Sequence, residues 1–157
     1  MCNSNLKCKH VNSHKKSKGF TLIELLVVIA IIGLLSTLAV VALGSAREKA
    51  RDSKRLSDLK QMQSALELHY TEKNAYPTQA ESAALGEGNY SCLNVDGFGA
   101  TGCANAFTAQ IPVDPGSGVY QYTSVDGSTY AIGATLEGDI GGLAAGSITA
   151  SPSGIAN

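Results

Sequence analysis

From Phe20 to Leu43 the chain is apolar except at Thr21, Glu24, Gly33, Ser36 and Thr37. At about 1.5 Å per residue this stretch is a helix of roughly 36 Å, long enough for a hydrocarbon core of about 30 Å. From Ala46 to Lys73 there is no proline, and Leu56, Leu59, Met62, Leu66 and Tyr70 recur every three or four residues. That spacing predicts an amphipathic continuation of the same helix, so one helix is expected from Phe20 to Lys73. Its first half is apolar all round. Its second half carries one apolar stripe, which requires a covering layer of sheet or loop. The mixed signs of Arg51, Asp52 and Arg55, and of Lys54 and Asp58, suit a solvated or intersubunit face. Asn74-Ala75-Tyr76-Pro77 ends the helix, because the residue before proline disfavours helical backbone.

Beyond the helix the pattern weakens. Thr78 to Pro112 is glycine-rich with scattered apolar residues and predicts no definite element. Val119 to Thr123 alternates, Asp126-Gly127 marks a tight turn, and Thr129 to Ala134 follows as the second arm of a hairpin. Leu143 to Ile148 predicts a short strand, and Ser151 to Asn157 a frayed tail. The fold class is α+β: a long N-terminal helix packed on a small C-terminal antiparallel sheet. Four segments follow: a basic leader (1–19), a membrane-length helical segment (20–43), the amphipathic half of the helix (44–76) and an acidic head (77–157).

Charge changes this picture in one respect. The formal net charge of −1 hides five lysines and no acid in residues 1–18, and seven acids with no Lys or Arg after Lys73. An acidic head repels nucleic acid and anionic lipid, so no nucleic-acid partner is expected. The acid-free lysines before the helix favour a single-pass orientation with the N-terminus inside, although Arg47, Lys49, Arg51, Lys54, Arg55 and Lys60 follow the helix. Cysteines divide in the same way. Cys2 and Cys8 fall in the leader, whereas Cys92 and Cys103 fall in the head, where an oxidising exterior allows them to bond. Cys2, Cys8, His10 and His14 match no common zinc spacing.

The anomaly is Glu24. A carboxylate at the centre of a membrane helix costs roughly 2.5–3.5 kcal/mol, less near its end, and marks a functional site by default. Lys15-Lys16-Ser17-Lys18 leads into Gly19-Phe20-Thr21-Leu22-Ile23-Glu24-Leu25-Leu26-Val27-Val28-Ile29-Ala30-Ile31-Ile32-Gly33. This run resembles the class III signal, or prepilin-type N-terminal methylation motif, of type IV pilins and type II secretion pseudopilins. The likeness is nearly continuous here and coarser through the helix to Tyr76-Pro77.

The resemblance implies a pilin-like fold and a precursor whose leader is cleaved after Gly19 by a prepilin peptidase, which methylates the new amine on Phe20. It pairs Glu24 with the Phe20 terminus of a neighbouring subunit. A pairing of Glu24 with its own terminus, one helical turn away, is the alternative, and only the first explains ordered assembly. The implied product is a structural subunit of a type IV pilus-like filament. The implied partners are copies of itself, related minor pilins, and an inner-membrane assembly platform with its ATPase. The implied location is the cytoplasmic membrane, then a cell-surface or periplasm-spanning filament. A pseudopilin of a type II secretion system is the alternative within the superfamily. Pro112-Val113-Asp114-Pro115 to Tyr122 leans that way, and the paired cysteines lean towards a pilus. A monomeric signal-anchored binding module or enzyme is the alternative of another class.

Other candidate chemistry is sparse. Asp114, Asp126, Glu137 and Asp139 are candidate calcium ligands by their oxygen chemistry. Major pseudopilins bind calcium in C-terminal loops, and Gly138-Asp139-Ile140-Gly141 is similar to that region; solvated loop acids are the other reading. Asn89-Tyr90-Ser91 is a sequon. His69 is the only histidine after Gly19, with no readable acid–nucleophile set around it, so no enzymatic activity is expected.

Overall fold

The computed structural model describes residues 19–157. The leader, with Cys2, Cys8, His10 and His14, lies outside the described residues. Helix α1 spans Leu22–Lys73, starting two residues later than expected because Thr21 caps it. The chain divides into two compact units between Val40 and Val41.

In the first unit, α1 carries its apolar side chains outward all round: Leu22, Ile23, Leu34 and Val40 are each more than 60% exposed. By length and composition this is a helix able to cross a membrane. Its hydroxyls are returned to its own backbone. Ser36 Oγ donates to Ile32 O at 2.7 Å, and Thr37 Oγ1 to Leu34 O at 2.8 Å. No polar group of these two residues is then left bare towards lipid.

In the second unit, α1 packs on a five-stranded antiparallel sheet. The strands are β1 (Gln79–Ala84), β4 (Gln121–Ser124), β5 (Ala131–Leu136), β6 (Gly146–Ser151) and β7 (Gly154–Ala156), in the order β1-β4-β5-β6-β7. A small hairpin of β2 (Cys92–Asn94) and β3 (Gly97–Gly99) forms a second sheet, preceded by a 3-10 turn over Gly88–Tyr90, and packs Leu93 and Phe98 against the core. The core forms where Leu59, Met62 and Leu66 of α1 meet Tyr122, Ile132, Leu136, Ile148 and Ala150 of the sheet. Alternation explains the sheet's contribution: Ile132, Ala134 and Leu136 of β5 point inward while Thr135 is exposed. Asn74, in the left-handed region at φ 54°, stops the helix, its N–H still donating to Tyr70 O at 2.7 Å.

Several expectations are corrected. The tail is not frayed, because Gly154–Ala156 forms the edge strand β7 against β6. Asn157 pins it further: its side chain accepts from Ala144 N at 2.9 Å and donates to Ala144 O at 3.0 Å. The strand expected at Leu143 to Ile148 begins instead at Gly146, where a φ of 115° lets the chain turn into the sheet. The hairpin arms are Gln121–Ser124 and Ala131–Leu136, each displaced towards the C-terminus of its expected run. The weakly patterned stretch from Thr78 to Pro112 supplies three strands. The mixed-sign residues Asp52, Arg55 and Asp58 are not on a solvated face; each is at most 3% exposed. They extend the buried stripe of α1 towards its start, with charge where Leu and Met stand further on.

Candidate functional site

Two groupings of chemistry stand out, one in each unit. The first is the start of α1. Gly19 and Phe20 precede the helix and are exposed, and nothing lies within 4 Å of where a Gly19 Cβ would stand. The Gly19–Phe20 bond therefore sits in accessible, non-helical chain. Thr21 N–H donates to Glu24 Oε2 at 2.8 Å, and Thr21 Oγ1 donates to the same oxygen at 2.7 Å. Glu24 N–H donates back to Thr21 Oγ1 at 3.3 Å. This is a capping box: Thr-x-x-Glu satisfies orphan donors of the first turn reciprocally, and a carboxylate suits the positive end of the helix.

Glu24 has a partner within its own chain before any cleavage, because Thr21 holds one of its oxygens. Among the described residues, Oε1 accepts no hydrogen bond. The carboxylate is thus oriented by one oxygen and available through the other. The flanking side chains Ile23, Val27 and Val28 make its surroundings apolar.

The second grouping is in the head. Arg55 donates from Nε to Asp114 Oδ2 at 2.7 Å and from Nη2 to Asp114 Oδ1 at 2.9 Å. Its Nη1 donates to Asp52 Oδ1 and to Glu137 Oε1, both at 2.7 Å. Asp114 also accepts from the backbone of Gly116 at 2.7 Å and Gly118 at 3.3 Å. Asp52 accepts from the backbone of Glu137 at 3.1 Å and Gly138 at 2.9 Å. Arg51 adds a second cation on Glu137, with Nε to Oε1 at 2.8 Å and Nη2 to Oε2. Two loops are thereby tied to one turn of helix. Glycine at 116 allows the approach, since a Cβ there would lie 2.8 Å from Arg55 Nη2, and a Cβ on Gly118 would crowd Asp114 Cγ at 3.1 Å.

These contacts set the protonation states. The Arg55 hydrogen bonds hold Asp114 below its ordinary value, against its burial. Burial pushes Asp52 up, but the backbone N–H groups of Glu137 and Gly138 and the Arg55 guanidinium outweigh it, so its carboxyl lies low as well. Arg51, then Arg55, brings Glu137 down to about 2. One turn on, the Tyr120 hydroxyl donates to buried Asp58 Oδ2 at 3.1 Å while Lys54 pairs with Oδ1. Burial, then the Asp58 charge, raises the Tyr120 phenol, keeping it a donor.

The four calcium candidates do not come together. Asp114 and Glu137 belong to the Arg55 cluster. Asp126 accepts from Ser128 N at 3.0 Å, capping the turn between β4 and β5. Asp139 accepts from Ala145 N at 2.8 Å, closing its own loop. Among the described residues no group of His, Cys, Asp and Glu is arranged to hold a metal. Cys92 and Cys103 are bonded, with Cα atoms 6.1 Å apart, and fasten the β2–β3 hairpin to the following loop. The sequon asparagine is exposed, on the 3-10 turn. Sequence reasoning missed Asp52 and Arg55 as a site. The signal was their position: with Leu59, Met62 and Leu66 they fall on one helical face.

The family described as the prokaryotic N-terminal methylation motif matches residues 14–44. The chain is 30% identical over 110 residues to the type II secretion system core protein G of Klebsiella pneumoniae, covering 70% of this chain and 76% of the relative. It is 32% identical over 114 residues to that of Pseudomonas aeruginosa, covering 69% and 74%. With that of Aeromonas hydrophila the identity is 41% over 64 residues, 41% of this chain, and the chain spans only 45% of that relative's length. No solved structure matches the chain significantly.

Proposed function

We propose that this chain, which belongs to the type II secretion system core protein G family, is the structural subunit of a secretion pseudopilus. The observation that carries the reading is the match across about three quarters of the Klebsiella and Pseudomonas relatives, together with the methylation motif. It ranks the secretion pseudopilin, first the alternative, above the pilus subunit, since these relatives bear the secretion name. The paired cysteines that leaned towards a pilus carry less weight than that match.

In this reading the role is mechanical rather than enzymatic. The precursor is held in the cytoplasmic membrane by residues 20–43, with the basic leader inside and the head outside. A prepilin peptidase cuts after Gly19, in chain that is exposed and outside the helix. The Phe20 amine so created meets Glu24 Oε1 of a neighbouring subunit, while Thr21 keeps Oε2 in place. Copies of the chain, with related minor pilins, are added by a membrane platform and its ATPase. Pairing offsets the cost of a charge at membrane depth and fixes the register between subunits.

The test has two arms. Mass spectrometry of the mature protein should find N-methylated Phe20 as its first residue; an intact Met1, or an end at Arg47, overturns the processing. Deleting the gene should stop protein secretion and leave surface pili. Loss of pili with secretion intact would return the chain to the pilus.

A further inference from the structure

We infer that Arg55 is the resident cation of this head: its guanidinium holds together the carboxylates that a divalent ion would otherwise have to join, so the head needs no calcium. Calcium takes six to eight oxygen ligands at about 2.3–2.6 Å, largely from carboxylates and carbonyls. Of the four candidates the sequence offers, two are already engaged by arginine. Both oxygens of Asp114 face Arg55, and both oxygens of Glu137 face Arg51 or Arg55. A divalent ion placed between Asp114 and Glu137 would stand against a guanidinium that is itself almost wholly buried. The residues therefore do not fit a bound calcium while Arg55 is in place.

The same geometry shows what the guanidinium replaces. It reaches three carboxylates at once, from the helix (Asp52), from the loop before β4 (Asp114) and from the end of β5 (Glu137). Bringing three such carboxylates towards one point demands a positive charge there. A divalent ion supplies it as a point charge, and guanidinium supplies it as a planar fork whose donors match carboxylate pairs. Being covalently part of the chain, Arg55 supplies this charge whatever the calcium concentration outside. The glycine at 116 is part of the device, since any side chain there would strike Arg55 Nη2.

The experiment uses the full chain in detergent, with equilibrium dialysis against calcium and thermal melts followed by tyrosine fluorescence. The wild type should bind no stoichiometric calcium, and its Tm should be the same in millimolar calcium and in chelator. Arg55→Ser leaves Asp52 and Asp114 without their cation and Glu137 with Arg51 alone. Its Tm in chelator should fall, and calcium at a hundredfold excess over Kd should raise it on the order of 10 °C. Arg55→Gln, which fills more of the space, serves if the serine variant does not fold. Stoichiometric calcium on the wild type, lost in Asp114→Asn, overturns the inference. So does a folded Arg55 variant whose Tm ignores calcium, because the guanidinium would then be one ion pair among others.

Discussion

Arg55 and Asp114 form a two-pronged ion pair across 59 residues of sequence, both side chains no more than 4% exposed. Such a pair is not in itself a large source of stability, since removing two charges from water is costly. Breaking it is another matter. Asp114→Ala leaves a buried guanidinium short of its main partner and should destabilise the head by about 3–5 kcal/mol. Urea unfolding of the full chain in detergent checks this; a loss below 1 kcal/mol would mean the cluster relaxes to water.

The same cluster gives the head a pH dependence with a definite sign. Asp114, Asp52 and Glu137 all lie below their ordinary values in the folded chain, Glu137 at about 2. Their contribution is fully present above their unfolded values, about 3.9 for Asp and 4.3 for Glu, and is lost as pH falls through the folded ones. Stability should therefore decline from about pH 4 down to about pH 2. Melts across that range should show a shallower decline in Glu137→Gln than in the wild type.

Two tyrosines separate a hydroxyl that is used from one that is not. Tyr120 donates to buried Asp58, whereas Tyr130 Oη is buried without a hydrogen-bond partner among the described residues. Tyr120→Phe should cost on the order of 1–3 kcal/mol, since it removes a donor from a charged acceptor, and Tyr130→Phe should cost nothing or stabilise. Equal effects in denaturant titrations would contradict the assignment of roles.

The helix and its stop were legible because they are local. The apolar run, the three-and-four spacing of Leu59, Met62 and Leu66, and the stop before Pro77 are written in adjacent residues. The hairpin around Asp126-Gly127 was legible for the same reason. What escaped depends on distant partners. Asp52 and Arg55 look like surface charges until Asp114 and Glu137 fold over them from 59 and 82 residues away. Strand β7 is only three residues, Gly154–Ala156, too short to show an alternating pattern, and exists because β6 offers it an edge. At the N-terminus, Thr21 and Glu24 carry the Thr-x-x-Glu spacing of a capping box, but their place at the head of a membrane-length apolar run reads first as a buried charge.

The disulfide between Cys92 and Cys103 closes a short loop, and the chain-entropy account gives such a loop roughly 2–3 kcal/mol. Free-thiol labelling of denatured, unreduced protein should find neither cysteine reactive. Cys92→Ser with Cys103→Ser should lower stability by about that amount and leave the five-stranded sheet intact, because the hairpin lies outside it. Strong labelling of both thiols in protein from an oxidising compartment would dismiss the bond.

Glu24 sits where two roles meet, helix cap and assembly partner, and variants can separate them. Thr21→Ala removes the hydroxyl that holds Oε2 and loosens the first turn, a cap loss worth about 0.5–2 kcal/mol, but leaves the carboxylate. Glu24→Ala removes both roles and should insert at least as readily, since the desolvation cost is gone. Glu24→Gln keeps the size and a cap acceptor but not the charge. If the pairing with a neighbour's Phe20 amine directs assembly, all three variants should be cleaved after Gly19, whereas Gly19→Val should accumulate as full-length precursor. Glu24→Ala and Glu24→Gln should then yield mature membrane protein with few or no fibres, and Thr21→Ala should yield fibres in reduced number. Shearing and immunoblotting of fibres, with the membrane fraction as control, read all four. Abundant fibres from Glu24→Gln would show that the cap, not the charge, is what assembly requires.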